Sequence, residues 1–97
     1  MAKFTVRVEL HNTPLQEDYQ RLNAAMECRG FKRTITAVAP SQKYLLPERT
    51  YSYTGRQENA DDILRLVQCI VGAMGLSAAI VVTQVAVRRF SGLDEVP

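Results

Sequence analysis

Apolar and polar residues alternate with period two over residues 3–11. Phe4, Val6, Val8 and Leu10 face one way; Thr5, Arg7, Glu9 and His11 face the other. That alternation predicts a half-buried strand with one wet face. The period then changes. Leu15, Tyr19, Leu22 and Met26 recur at steps of four and three, which predicts one apolar stripe on a helix over 14–29. Thr13 reads as its N-cap, Pro14 as its first residue and Gln16 as the capping-box partner. Glu17 and Asp18 suit the positive end of the helix dipole, and Gly30 suits a left-handed terminator. Residues 31–39 return to period two, with Phe31, Arg33, Ile35 and Ala37 on one face. Arg33 is out of place there unless it sits at the strand end, where its long stem reaches water. A turn over 40–43 leads into the stretch 44–55. Its first half is interrupted by Pro47. Its second half, Thr50 to Thr54, is a strand with Tyr51 and Tyr53 on one face. Asn59 caps a second helix carrying Asp61 and Asp62 in its first turn. Ile63, Leu64, Val67, Ile70, Val71 and Met74 form its wide stripe, and Gly75 ends it. Gly72, inside that helix, suggests close approach by a neighbour. Residues 78–90 are β-rich and nearly uncharged until Arg88. They outrun a usual strand, so a break is expected near Thr83 and Gln84, with the remainder pairing elsewhere.

The order strand, helix, strand, strand, helix, strand predicts an α+β fold: a ferredoxin-like βαββαβ sandwich. Its four-stranded antiparallel sheet carries both helices on one face, with an extra C-terminal strand segment. Strands in that topology lie in the order fourth, first, third, second. Arg7, Glu9 and His11 then share the open face with residues of the Thr50–Thr54 strand. The whole chain, 1–97, reads as a single domain with an acidic, frayed tail over 91–97.

Composition adds little to this beyond excluding several classes. No apolar run reaches the roughly 18 residues that a membrane helix needs, and the N-terminal strand lacks the apolar stretch of a secretory signal. Cys28 and Cys69 are far apart, with no CxxC spacing, and read as reduced thiols. A cytoplasmic protein is the expectation. The net charge is only +2, but it is unevenly spread. Between Cys28 and Arg56, six basic residues (Arg29, Lys32, Arg33, Lys43, Arg49, Arg56) face one acid, Glu48. A local field of that sign attracts phosphate, although a solvated face on a balanced protein has the same composition.

Candidate chemistry is sparse. His11 is the only histidine. Without a second histidine or spaced cysteines it makes no metal site, and no cofactor is implied. An imidazole suits general acid–base work, though a lone strand-end histidine is more often an ordinary surface residue. Tyr51 and Tyr53 stack bases if they lie on an open sheet; otherwise they pack under a helix or in an interface. Arg29, Lys32 and Arg33 either bind phosphate or complement a helix end. Arg88 and Arg89 either join them or protect a sheet edge. There is no P-loop, no GxSxG and no credible carboxylate pair.

Several stretches carry a resemblance. Val6-Arg7-Val8-Glu9-Leu10-His11, then Tyr19 to Met26 with Gly30-Phe31 and Arg33-Thr34-Ile35, and Leu46-Pro47 followed by Tyr51, are similar to small bacterial proteins grouped with GhoS. GhoS is the antitoxin of a type V toxin–antitoxin system. The likeness spans about residues 3–90. It implies a ferredoxin-like fold related to the CRISPR-associated spacer-acquisition nucleases, a homodimer, and cleavage of a toxin messenger RNA. Those nucleases carry an aspartate at the end of the first strand, where this chain has Glu9-Leu10-His11. Metal-dependent cleavage is therefore in doubt. A metal-free endoribonuclease would have to rely on His11 and Arg7, with Arg29, Lys32, Arg33, Arg49, Tyr51 and Tyr53 binding the nucleic acid.

Three readings follow. The first is an antitoxin-like protein that binds single-stranded RNA, with or without cleaving it. The second is a non-enzymatic interaction module, such as a small mobile-element inhibitor of a host enzyme or defence complex. The third is a small-molecule binder, for which nothing specifies a ligand. A homodimer through the uncharged edge over 78–87 fits the first two.

Overall fold

The computed structural model describes residues 2–12, 14–37, 42–55 and 58–96. Its elements run β1 (Ala2–Leu10), α1 (Gln16–Cys28), β2 (Thr34–Ala37), β3 (Gln42–Leu45), β4 (Thr50–Gly55), α2 (Ala60–Ala73) and β5 (Ala78–Gln84). The chain is α+β with two helices and antiparallel sheets. The strands divide three and two: β4-β1-β5 form one sheet and β2-β3 the other. The expected single four-stranded sheet is thus interrupted. Lys32 and Ser52 form the bridge between the two parts, through N–H···O bonds of 2.9 and 2.7 Å. Beyond it the Ser52 hydroxyl donates to the Thr34 carbonyl at 2.8 Å, so β2 leaves the ladder and pairs with β3 instead.

The alternation of β1 does what period two requires. Phe4, Val6, Val8 and Leu10 are buried, and Arg7 is exposed. Leu22 and Met26 of α1 and Ile63, Val67, Ile70 and Val71 of α2 meet them in one core cluster. Both helices therefore cover the same side of β1. Each fully buried aliphatic or aromatic side chain there contributes about 1.5–3 kcal/mol.

Both helices end as expected. Phe31 N–H donates to the Met26 carbonyl and Gly30 N–H to that of Glu27, at 3.0 and 3.1 Å, with Gly30 at φ +91°. This is the paired 6→1 and 5→2 closure of a Schellman motif, and it seats Phe31 beside Met26. Gly75 at φ +73° closes α2 in the same way. Asn59 and Asp62 form a reciprocal capping box at the start of α2, with bonds of 2.9 and 3.1 Å. The Asn59 N–H, then Arg65, hold the Asp62 carboxyl below its usual range.

Other expectations need correction. The α1 cap expected at Thr13 lies outside the described residues. The helix begins at Gln16 rather than Pro14, and Asp18, not Gln16, reaches back to accept from Leu15 N–H at 3.0 Å. Leu15 is 65% exposed and drops out of the stripe. Residues 38–41 and Arg56 also lie outside the described residues, while Gln42 and Lys43 are strand, not turn. The tail expected to fray is partnered over 94–96. Leu45 N–H donates to the Asp94 carbonyl and Val96 N–H to that of Lys43, both at 2.9 Å. The break near Gln84 is found where expected.

Gly72 meets no close neighbour. It is exposed, and a Cβ built there touches nothing within 4 Å. Gly72→Ala is therefore expected to stabilise the protein, by up to about 1 kcal/mol. Urea unfolding checks this, and a lowered midpoint would contradict it.

Candidate nucleic-acid interface

The uncovered face of the three-stranded sheet carries Lys3, Thr5, Arg7 and Glu9 from β1. The register sets Lys3 opposite Thr54, Thr5 opposite Ser52 and Arg7 opposite Thr50. At the Lys3 end this face is walled in. Lys32 enters from the bridge to Ser52. Lys43 enters from β3, where it pairs with Thr36. The last wall is the segment after β5. Val85 N–H donates to the Lys3 carbonyl at 2.8 Å, and the Arg88 guanidinium donates to Thr5 Oγ1 at 2.8 Å. Phe90 then rests against Tyr44 with ring centroids 5.0 Å apart.

Two adjoining hollows result, of about 490 and 200 Å³. Lys3, Lys32, Lys43, Arg88 and Arg89 line them, interleaved with Thr34, Thr36, Ser52 and Thr54. No acidic side chain lines either hollow among the described residues, and none of these cations has an ion-pair partner there. Uncompensated cations beside hydroxyl donors suit phosphate oxygens.

The residues singled out from sequence are dispersed by comparison. His11 is exposed at the far end of β1, with Nδ1 3.3 Å from Ser77 Oγ. It lies four steps along the chain from Arg7, about 13 Å of rise, and eight from Lys3, about 26 Å. Arg7 is held by Glu9 at 2.6 Å. The expected catalytic pair does not converge, and neither member lines the basic cleft. Arg29 caps α1 on the surface and also stays outside.

Arg33 is committed to structure. Its guanidinium donates to the carbonyls of Pro47 at 2.7 Å, Leu46 at 3.2 Å and Thr50, and lies 5.6 Å from the Tyr51 ring centroid. The expected strand-end escape to water is thus replaced by a clamp on the turn over 46–50. Within that turn Arg49 adopts φ +66°, stacks 4.6 Å over Tyr19 and lies 4.0 Å from Glu9. A third hollow, of about 400 Å³, opens between α1 and this turn. Glu48 lines it, and both of its arginines already have partners.

Tyr51 and Tyr53 are on the helix side, which corrects the base-stacking expectation. Tyr51 is fully buried and its hydroxyl donates to Asn23 Oδ1. Tyr53 packs on Phe31 at 4.6 Å and its hydroxyl donates to Glu58 at 3.1 Å. Of the expected nucleic-acid contacts, Lys32 and Tyr53 line the cleft, and the Tyr53 ring is taken up by Phe31. Lys3, Lys43, Arg88, Arg89 and Phe90 complete it. Lys3 was legible as a wet-face residue of the first strand, and Lys43 as part of the basic segment.

Burial pushes the Tyr51 hydroxyl up to about 12, against the opposing pull of Arg33. The folded protein therefore holds this proton more tightly than the unfolded chain, whose tyrosine titrates near 10. The resulting stability is fully present below pH ~10 and is lost as pH rises through the folded value. Stability is expected to fall between pH 10 and 12. Tyr51→Phe should flatten that fall; an equally steep loss in the variant would contradict the assignment.

Among the described residues, no helix is long and apolar enough to cross a membrane, and no group of three or more histidine, cysteine, aspartate or glutamate side chains is placed to hold a metal. Comparison with family models, curated proteins and solved structures finds no match for this chain.

Proposed function

We propose that this chain is an antitoxin-like protein that binds single-stranded RNA, holding its phosphates in the basic cleft. One observation carries the reading. Five cations from distant parts of the chain converge on one face with no acid among the lining residues described. The strand arrangement supports a ferredoxin-like assignment: β5-β1-β4 follows the expected order, and the Lys32–Ser52 bridge lies on the remaining edge, just before β2 in the chain. The inserted β2-β3 hairpin then supplies a cleft wall. Exposed thiols at Cys28 and Cys69 fit a reducing, cytoplasmic setting.

We assign binding rather than cleavage, because His11 and Arg7 lie apart from the phosphate-binding cations. Labelled RNA incubated with the protein in chelator at low salt is expected to be bound and to stay intact. His11→Ala should bind equally well. Absence of binding at 50 mM salt would overturn the reading. Cleavage that His11→Ala abolishes would restore the nuclease.

A second reading, a non-enzymatic interaction module, is favoured by a different surface. The outer edge of β5 has no strand partner among the described residues, and Val81 is 60% exposed on it. Unpaired edges of this kind recruit strands from other chains. A second copy is the simplest occupant, so a homodimer is compatible with either reading. Light scattering at micromolar concentration tests it, and a monomeric mass would remove it.

A further inference from the structure

Phosphate contacts alone do not distinguish a single strand from a duplex. The aromatic residues of the chain bear on that choice. It has four tyrosines, three phenylalanines and no tryptophan. Phe4, Phe31 and Tyr51 are fully buried, Tyr53 is packed on Phe31, and Tyr19 lies under Arg49. Tyr44 and Phe90 remain, and they touch each other at 5.0 Å with planes 56° apart. Phe90 is 40% exposed and lines the larger hollow beside Lys3, Arg88 and Arg89. A phenylalanine face left open to water among cations is neither core packing nor an edge guard. Tyr44 braces it, and Tyr44 is itself fixed by pairing with Ile35 and by a bridge to Glu95.

We infer that Phe90, braced by Tyr44, is a stacking platform for one unpaired base of a strand whose phosphates occupy the cleft. The inference rests on the RNA-binding reading and adds single-strand selectivity to it. A base within a duplex is already stacked and cannot lie on the ring, whereas any base of a single strand presents a π-face. Aromatic stacking of this kind changes affinity by about tenfold when the ring is removed. Arg88 and Arg89, immediately before Phe90, supply phosphate contacts next to the stacked base. Selectivity among bases is expected to be weak, since nothing on the ring reads a base edge.

Phe90→Ala, Phe90→Leu and Phe90→Trp separate the possibilities. The probes are a single-stranded 12-nucleotide RNA, the corresponding duplex and inorganic polyphosphate, measured by direct titration or competition. Phe90→Ala and Phe90→Leu are expected to weaken the single strand about tenfold, leaving polyphosphate and duplex binding unchanged. Phe90→Trp introduces the protein's sole tryptophan, and its emission should be quenched by the single strand and not by polyphosphate. Full single-strand affinity in Phe90→Ala, or equal quenching by polyphosphate, would overturn the platform while leaving RNA binding intact. A wild-type protein that binds neither RNA would remove both. A wild type that binds polyphosphate as tightly as the single strand would reduce the cleft to a general anion site and sink the platform.

Discussion

Lys32→Glu combined with Arg88→Glu is expected to reduce affinity for single-stranded RNA at least about 25-fold at 0.1 M salt. The two substitutions remove two phosphate contacts, and the carboxylates they introduce add repulsion. Each neutralised phosphate of a single strand contributes roughly 0.7 log unit at that salt, through release of bound counterions. Lys32 is exposed, and its tie to Ser52 is through the backbone alone, so its loss spares the bridge. Arg88 also donates to Thr5, so its replacement tests packing as well as charge. Lys3→Glu with Lys43→Glu separates the two effects. Both of those side chains are exposed, and they reach the same hollow from other strands. This second pair should lose binding to a similar extent. Arg21→Glu with Arg65→Glu changes total charge equally on the helices, where each arginine faces an aspartate at 3.5 and 2.8 Å. That control is expected to change affinity no more than a few fold. Equal losses in all three variants would mean that net charge, not the cleft, holds the strand.

Arg33→Ala is expected to destabilise the protein by about 3 kcal/mol, the cost of leaving carbonyls without their charged donor. For a domain of this size that corresponds to a fall in Tm of about 12–24 °C. The guanidinium gathers the carbonyls of Leu46, Pro47 and Thr50, and so fixes the turn that hands the chain from β3 to β4. The same turn holds Arg49 in a left-handed conformation that a non-glycine residue adopts at a cost. Arg33→Lys should recover little, since one ammonium cannot reproduce the planar fork. Calorimetry checks both variants; a shift of less than ~3 °C for Arg33→Ala would contradict the clamp. RNA affinity of the folded variant should be unchanged, which separates Arg33 from the cleft residues.

The Arg33 clamp also marks where sequence reading stops. Period-two alternation placed β1, and the apolar stripe with Asn59 and Gly75 placed α2, because those signals are local. The break after Gln84 was legible for the same reason: the apolar run was longer than a strand. Which face Tyr51 and Tyr53 would take depended on register against β1, and a one-residue slip reverses it. Arg33 was visibly anomalous on an apolar face, but its carbonyl partners lie 13 to 17 residues away. The pairing of residues 94–96 with β3 leaves no periodic trace at all. The cleft itself was hidden because its cations come from β1, the segment before β2, β3 and the segment after β5. None of those segments is a basic motif alone; the fold brings them together.

The most direct test is the salt dependence of RNA binding by the wild-type protein. Anisotropy of a labelled single-stranded RNA, titrated in chelator between 50 and 200 mM salt, measures it. Five cleft cations predict a slope of log K against log salt near −3.5, a fall of about 100-fold across that range. A slope shallower than about −1 would contradict phosphate binding by the cleft.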